Sequence, residues 1–215
     1  MGLKRTRIDG LWFWNAYQPE RGIDFNGWWW QHAAGGLLFD PMPLAGPELE
    51  QVRAGGGVRW ILLTNASHLR AAPALKQAFG AALLAPAAER ALFGEAAPQV
   101  DVWYESASEL PAELRGELEP FPIRGGKTPC EFAFHLVPLR ALLFGDIVRS
   151  ERTGLLTLLG DDKLSDRGAV VQAVRQLASL RFEAVLIGDG DPIFCGAREA
   201  YLELLAGLAG SPAVP

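Results

Sequence analysis

Residues 61–70 read Ile-Leu-Leu-Thr-Asn-Ala-Ser-His-Leu-Arg and join an apolar strand to a short polar turn. The run from Ile61 to Leu63 is typical of a buried strand. Thr64 and Asn65 are the first polar residues after it. The sequence therefore predicts a strand that ends in a turn rich in hydrogen-bonding side chains.

The same ten residues resemble the Thr-His-x-His-x-Asp-His motif of metallo-β-lactamase-fold hydrolases, whose side chains bind zinc. Asn65 stands at the first His, Ser67 at the second, Leu69 at the Asp and Arg70 at the last His, while His68 falls on a spacer position. The resemblance implies a divergent member of that superfamily, with the scaffold kept and most zinc ligands replaced.

Four further segments resemble motifs of this superfamily, in the same order along the chain. Residues 37–41 resemble the family motif Leu-Ile-Asp-x-Gly, and residues 125–132 resemble Gly-His-Thr-Pro-Gly-Ser. Residues 142–148 resemble Leu-Phe-x-Gly-Asp-Thr, and residues 185–192 resemble Pro-Gly-His-Gly. Lys127 stands at a ligand His, Asp146 keeps the metal-bridging carboxylate, and Asp189 replaces the last His. By the same resemblance, Asp40 is expected to anchor the turn formed by residues 64–68.

The resemblance implies an α+β fold, the four-layer αβ/βα sandwich of metallo-β-lactamases, in one domain over residues 1–215 with a frayed tail after about residue 209. Apolar patterning predicts strands and later helices. The strands are expected at residues 11–14, 28–30, 58–63, 81–84, 100–104, 118–123, 132–137, 141–144 and 184–187, and the helices at 72–79, around 170–177 and at 197–208. Ser165 or Asp166 can cap the second helix. Because side chains alternate along a strand, at least one of Trp28, Trp29 and Trp30 is expected outside the core.

Composition excludes several classes of partner. Apolar residues make up 49% of the 215 residues, which suffices for a buried core, and the net charge is -5. No basic run suits nucleic acid or an anionic membrane surface. No apolar run approaches the ~18 residues of a membrane helix. The two cysteines form no disulfide framework and no export signal is recognised, so the cytoplasm is the expected location.

The histidine count argues against the zinc pair of the resembled hydrolases. The chain has 3 histidines, and only His68 lies near the motif. Oxygen ligands without a full set of imidazoles bind zinc poorly. We expect no dinuclear zinc site and no other cofactor. A single weakly held divalent ion on His68, Asp146 and Asp189 remains an alternative.

Electrostatics suggests how the retained acids are tolerated. Asp146 and Asp189 are expected near one another, where two carboxylates without a cation repel and are costly to desolvate. Lys127 and Arg70 can supply the missing positive charge, and we predict that Lys127 pairs with Asp146. Lys127 then acts either as a fixed substitute for a metal ion or only as a neutralising partner, because a buried ion pair is weak evidence for catalysis.

Each remaining candidate has a chemical and a structural interpretation. His68 is a general base or a hydrogen-bonded structural group. Asn65 orients a carbonyl or water, or satisfies the backbone of the turn. Asp191 belongs to the binding residues or initiates the turn at Pro192.

Two functions follow from these alternatives. The first is hydrolysis of a small ester, thioester or amide, with Lys127 or one metal ion assisting; His68, Lys127 and Asp146 are the catalytic candidates. The second is a non-catalytic binding or interaction protein of the same fold. In both, Arg70, Lys127 and Asn65 favour a small anionic ligand. The alternative is that Asp146, Asp189 and Asp191 pair with both cations internally and leave a net negative site that repels anions. The sequence leaves the oligomeric state open.

Overall fold

In the computed structural model, which describes residues 2–209, the apolar segments of the first half form one mixed sheet. Its strands follow chain order: β1 (Lys4–Arg5), β2 (Leu11–Gln18), β3 (Ile23–Trp30), β4 (Leu37–Phe39), β5 (Trp60–Leu62), β6 (Ala82–Pro86) and β7 (Val102–Tyr104). Neighbours from β1 to β4 are antiparallel, and those from β4 to β7 are parallel. The connections to the parallel strands include α1 (Gly46–Ala54) and α2 (Ala72–Phe79).

All three consecutive tryptophans of β3 are buried, so the expectation that one lies outside the core is wrong. Trp28, Trp29 and Trp30 are 1%, 1% and 4% exposed. Trp29 belongs to a core cluster with Leu38, whereas Trp28 stacks on Phe13 with ring centroids 5.3 Å apart. Alternation sends the rings to opposite faces, but both faces carry packing partners.

A glycine in β3 lets the chain pack closely beside the candidate site. Gly27 pairs with Trp14 across β2 and β3. A Cβ at Gly27 would lie 2.8 Å from the Trp14 ring and 2.8 Å from the Met42 nitrogen. The Trp14 indole N–H also donates to the Met42 carbonyl over 3.0 Å. Because Met42 lies two residues after Asp40, this packing holds the chain beside a candidate site residue.

The second half contains a four-stranded sheet and a separate hairpin. The sheet has the order β13 (Ala184–Ile187), β10 (Ala141–Phe144), β9 (Glu131–Leu136) and β8 (Leu118–Ile123), and the hairpin joins β11 (Val148–Arg152) to β12 (Leu155–Leu158). The pair β10–β13 is parallel, and the other pairs are antiparallel. Two helices, α3 (Arg167–Leu177) and α4 (Ala197–Ala209), contribute to the same core.

Tyr201 of α4 shows how tightly that core is packed. Its ring is fully buried, and its hydroxyl donates to the Val174 carbonyl of α3 over 2.7 Å. Burial raises the pKa of the Tyr201 hydroxyl, because the phenolate would have to leave water. The hydroxyl therefore ties the two helices together as a neutral donor.

The structure confirms the most strongly patterned elements. Predicted strands 118–123, 141–144 and 184–187 and helix 72–79 have the observed bounds, and Asp166 caps α3 by accepting the Ala169 N–H over 2.9 Å. The sequence reasoning missed α1 and the hairpin. Helix α1 buries only Val52, and β11 combines Arg149 with further polar residues, so neither shows a clear apolar period.

Contacts divide the chain into two compact units, the first ending at Arg115 and the second beginning at Gly116. The single domain expected over residues 1–215 stays a prediction, and the expected fraying after residue 209 lies outside the described residues. Among the described helices, none has the length and apolar character needed to cross a membrane.

Candidate functional site

In the first unit, the turn formed by residues 64–68 is anchored by Asp40. The Thr64 N–H donates to Asp40 Oδ1 over 2.8 Å, and the Thr64 hydroxyl donates to Asp40 Oδ2 over 2.7 Å. Asp40 is 1% exposed and follows β4 with a left-handed φ of 46°. Such a backbone conformation is costly for a residue other than glycine. The surrounding hydrogen bonds hold it in place.

His68 is attached to the same carboxylate. Its Nδ1 lies 2.8 Å from Asp40 Oδ2 and 3.0 Å from the Thr64 hydroxyl oxygen, and the residue is buried. A carboxylate oxygen can only accept, so Nδ1 carries a hydrogen, and in the neutral ring Nε2 then carries the lone pair. Asp40 therefore fixes both the orientation and the tautomer of the imidazole.

A second buried acid, Glu89, holds the next residue of this turn. Its carboxylate accepts the Ala66 N–H, and the side chain is fully buried. Sequence reasoning missed Glu89, because it lies in the irregular 3-10 segment Ala87–Gln99 and belongs to none of the five matched blocks. The turn is thus fixed by two carboxylates, those of Asp40 and Glu89.

The amide of Asn65 also lies within this turn. Its Nδ2 donates to the Thr64 hydroxyl oxygen over 3.4 Å, and the backbone carbonyl of Asn65 accepts the His68 N–H over 3.1 Å. These contacts match the structural interpretation, in which Asn65 satisfies groups of the turn. They leave its proposed binding role untested.

Arg70 contacts two backbone carbonyls and an aromatic ring in the first unit. Its Nη1 donates to the carbonyls of Asn26 over 3.0 Å and Asp40 over 3.3 Å, and its guanidinium lies 4.9 Å from the centroid of the Phe25 ring. The left-handed φ of 36° at Arg70 accompanies this orientation. These contacts anchor strands β3 and β4 of the first unit.

In the second unit, Lys127 Nζ lies 2.6 Å from Asp146 Oδ2, which confirms the predicted ion pair. The Asp146 side chain is 4% exposed and that of Lys127 is 31% exposed. The carboxylate is therefore buried, whereas the ammonium reaches solvent. Lys127 supplies positive charge at the position where the resembled hydrolases carry a ligand His.

Glu131 holds the backbone that carries Asp146. This carboxylate accepts three consecutive backbone N–H groups, from Gly145 over 3.2 Å, Asp146 over 2.8 Å and Ile147 over 3.0 Å. The residue is buried at the start of β9. Such donors stabilise an ionised carboxylate. Glu131 occupies the last position of the block that resembles Gly-His-Thr-Pro-Gly-Ser, a signal that could have drawn attention to it.

Arg149 provides a cation beside Asp189 that the sequence reasoning did not identify. The expectation that Arg70 helps Lys127 to neutralise the two acids stays a prediction. Arg149 Nη2 lies 2.7 Å from Asp189 Oδ2, with side chains 10% and 1% exposed. Oxygens of Asp146 and Asp189 lie within 4.8 Å of each other. Lys127, Asp146, Asp189 and Arg149 thus form two adjacent ion pairs within the second unit, which we term the charge cluster.

Backbone contacts hold the hairpin strand β11 beside Asp189. The Ser150 N–H donates to the Asp189 carbonyl over 3.3 Å, and the Asp191 N–H donates to the Ser150 carbonyl over 2.9 Å. A Cβ at Gly190, whose φ is 103°, would lie 2.0 Å from the Ser150 oxygen. The exposed carboxylate of Asp191 accepts the Thr153 hydroxyl. Asp191 therefore lies at the outer edge of this turn.

Comparison with known proteins decides the family. The sequence model described as the metallo-beta-lactamase superfamily matches residues 3–208. The chain belongs to this superfamily. Among curated proteins, no sequence matches it.

Solved metallo-beta-lactamases share the fold at low sequence identity. One from Pontibacter korlensis is 18% identical, with a TM-score of 0.74 over 98% of this chain and 100% of that chain. Another, from Pseudomonas aeruginosa in its mono-zinc form, is 18% identical, with a TM-score of 0.68 over 98% and 96%. A third, from Erythrobacter litoralis, is 18% identical, with a TM-score of 0.66 over 94% and 91%. The predicted α+β, metallo-β-lactamase-like fold class is confirmed.

Breaking the Lys127–Asp146 pair should destabilise this superfamily member. We expect Lys127→Met to lower the free energy of unfolding by about 2–3 kcal/mol, below the ~3–5 kcal/mol for fully buried pairs, because the Lys127 side chain is 31% exposed and water screens it. Urea denaturation measures the loss.

The double variant Lys127→Met/Asp146→Leu should lose less stability than Lys127→Met, because no unpaired carboxylate remains buried. Arg140→Met is the matched control. Its ion pair with Glu183 is exposed, so the change should stay within about 1 kcal/mol. A double variant as unstable as the sum of its single changes would contradict the pairing argument.

Proposed function

We propose that this chain is a divergent, hydrolase-like member of the superfamily that works without the usual dinuclear zinc site. The observation that carries the proposal is the 2.6 Å contact between the Lys127 ammonium and the buried Asp146 carboxylate. Asp146 occupies the position of the metal-bridging carboxylate in the resembled hydrolases. An oxygen that would bind metal there is already paired with a cation of the protein.

The donor set of the chain supports this proposal. By the sequence resemblance, ligand positions carry Asn65, Ser67 and Lys127 in place of imidazoles, and an amide, a hydroxyl or an ammonium is a poor substitute for a zinc ligand. The two cations and two carboxylates of the charge cluster cancel in formal charge. A zinc pair would add four positive charges beside Lys127 and Arg149, so these residues do not fit it.

The residues present can still assist hydrolysis of a small ester, thioester or amide. Lys127 has three N–H donors and a partly exposed side chain, so it can donate to a carbonyl oxygen while it contacts Asp146. Such donation stabilises the negative charge that develops when water adds to the carbonyl. We assign Lys127 this electrophilic role and Asp146 the role of holding the ammonium.

His68 is the proposed proton acceptor. Asp40 fixes the tautomer in which Nε2 of the neutral ring carries the lone pair, and this arrangement of carboxylate and imidazole is that of a general base. The residue is buried, so the purely structural interpretation of His68 remains the alternative. A His68→Gln variant that loses activity at an unchanged unfolding midpoint would identify His68 as the general base. Unchanged activity would favour the structural interpretation.

We expect the purified protein to hold well below one zinc ion per chain. The replaced ligands and the paired carboxylates both reduce zinc affinity. Elemental analysis after dialysis measures the content. Two tightly held ions per chain would overturn the proposal. One ion that is lost in His68→Ala would instead support the mononuclear alternative, with His68, Asp146 and Asp189 as the expected ligands.

Turnover can be tested directly with a chelator present. We expect aryl esters, thioesters or anilides to be hydrolysed in EDTA, and Lys127→Met to reduce kcat/KM by about 100-fold or more, as loss of one oxyanion donor does. Lys163→Met is the control, because Lys163 is an exposed lysine in the same unit. Equal rates for both variants would remove Lys127 from catalysis.

A non-catalytic ligand-binding protein is the second candidate. It is favoured by the charge cluster, in which both buried carboxylates already have partners and fixed ion pairs can serve structure alone. No hydrolysis across the substrate panel would support this candidate. We propose that an anionic ligand would then contact Lys127, since Arg70 donates to two carbonyls. Arg70→Ala should leave a thermal shift by carboxylates unchanged, whereas Lys127→Met should remove it.

A further inference from the structure

The helix α3 and the residues after it have a charge opposite to that of the whole chain. Residues 167–182 contain Arg167, Arg175 and Arg181 and no acidic residue, although the chain has 25 acidic and 20 basic residues. Arg124, which follows β8, also lies against this helix. A local excess of arginine in an acidic protein marks a surface that attracts anions.

Two adjoining depressions border α3, and both are lined by Gln172 and Gln176. The first, of about 550 Å³, is also lined by Arg167 and Arg175 and reaches Leu208 of α4. The second, of about 260 Å³, is also lined by Arg124. Neither lining contains a carboxylate. The two glutamines thus form a ridge with guanidinium groups on both sides.

Of the three arginines that line the depressions, two lack an anionic partner among the described residues. Within residues 2–209, Arg124 and Arg175 form no ion pair, whereas Arg167 Nε lies 3.0 Å from Asp161 Oδ1. By contrast, Arg53 and Arg59 of the first unit each pair with a glutamate. The groove therefore offers two guanidinium groups whose charge is not neutralised within the described protein.

We propose that these two depressions form a binding site for a small oligophosphate, which we term the arginine groove. A guanidinium donates two parallel hydrogen bonds to phosphate oxygens, and the glutamine amides offer further donors along the ridge. A ligand with several linked phosphates can reach both depressions, which a single phosphate cannot.

Calorimetric titration with sodium tripolyphosphate at low salt tests the arginine groove. We expect saturable binding that weakens as salt is added, because exposed charges are screened. Arg124→Ala/Arg175→Ala should weaken the affinity by about tenfold or more, as expected for lost hydrogen bonds to charged groups. Arg152→Ala is the matched control, since Arg152 is an exposed arginine of the same unit outside the groove. The affinity of Arg152→Ala for tripolyphosphate should stay within twofold of that of the unchanged protein.

Parallel titrations distinguish a nucleotide from inorganic oligophosphate as the ligand. Stronger binding of ATP than of tripolyphosphate supports a nucleotide, and equal binding supports inorganic oligophosphate; adenosine should not bind in either case. No saturable binding, or equal loss in the double variant and Arg152→Ala, would overturn the site. Loss of binding in Lys127→Met would show that the anion binds at the charge cluster, which would overturn the arginine groove. The proposed hydrolytic function would stay open.

Discussion

Arg149→Met is expected to lower the free energy of unfolding by about 3–5 kcal/mol, the usual cost of leaving one member of a buried pair behind. Arg149 Nη2 and Asp189 Oδ2 lie 2.7 Å apart, and the side chains are 10% and 1% exposed. Methionine preserves much of the arginine stem, so the loss reports mainly on the charge. Urea denaturation with a two-state fit measures it.

The double variant distinguishes an ion pair from a packing effect. Arg149→Met/Asp189→Leu should recover part of the loss, because neither charge stays buried. The native pair also leaves one donor unused, because Arg149 Nε is buried without a hydrogen-bond partner among the described residues. Arg152→Met, on the same strand and exposed, should change stability by less than about 0.5 kcal/mol. If Arg149→Met behaved like this control, the ion pair would contribute nothing to folding.

The order of motifs explains what could be predicted about the site. Lys127 and Asp146 lie in two blocks whose order and spacing match the superfamily, so the resemblance placed them together and electrostatics supplied the reason for pairing. The strands that deliver them are continuous apolar runs, which pattern reasoning identifies best. The same logic placed Asp40 beside the turn that begins at Thr64.

The sequence did not predict contacts that depend on three-dimensional register. Arg70 occupies a ligand position in the sequence, and its hydrogen bonds to the Asn26 and Asp40 carbonyls could not be read from that position. Arg149 lies in a hairpin strand with no apolar period, so nothing in the sequence connected it with Asp189. A motif fixes a position along the chain; the direction of a long side chain depends on packing that the motif does not encode.

Glu131 raises the same difficulty, because its function is carried by backbone partners. A carboxylate between Cys130 and Phe132 reads as an interruption of an apolar strand. In the structure, the Glu131 carboxylate accepts hydrogen bonds from the N–H groups of the turn that follows β10. Buried backbone donors need acceptors, and the Glu131 carboxylate supplies them for this turn.

Glu131→Ala should therefore be among the most damaging single changes in the second unit, with an expected loss of about 3–5 kcal/mol. Each buried N–H left without an acceptor costs roughly 1–3 kcal/mol, and Glu131 serves those of Gly145, Asp146 and Ile147. Water entering the space left by the side chain will recover part of the total. Glu131→Gln should lose less, because its amide oxygen can still accept the Gly145 and Ile147 N–H groups, and only the Asp146 N–H would face the amide NH2 group.

The control for this change is Glu183→Ala, which removes an acid whose side chain is 68% exposed and pairs with Arg140. Its free energy of unfolding should stay within about 1 kcal/mol of that of the unchanged protein. Hydrogen exchange adds a local measurement: in Glu131→Ala the amides of residues 145–147 should exchange faster, while those of β13 should lose protection only as far as global stability falls. Unchanged exchange at 145–147 would show that Glu131 does not hold this turn. The Lys127–Asp146 pair would then have to be positioned by side-chain packing alone.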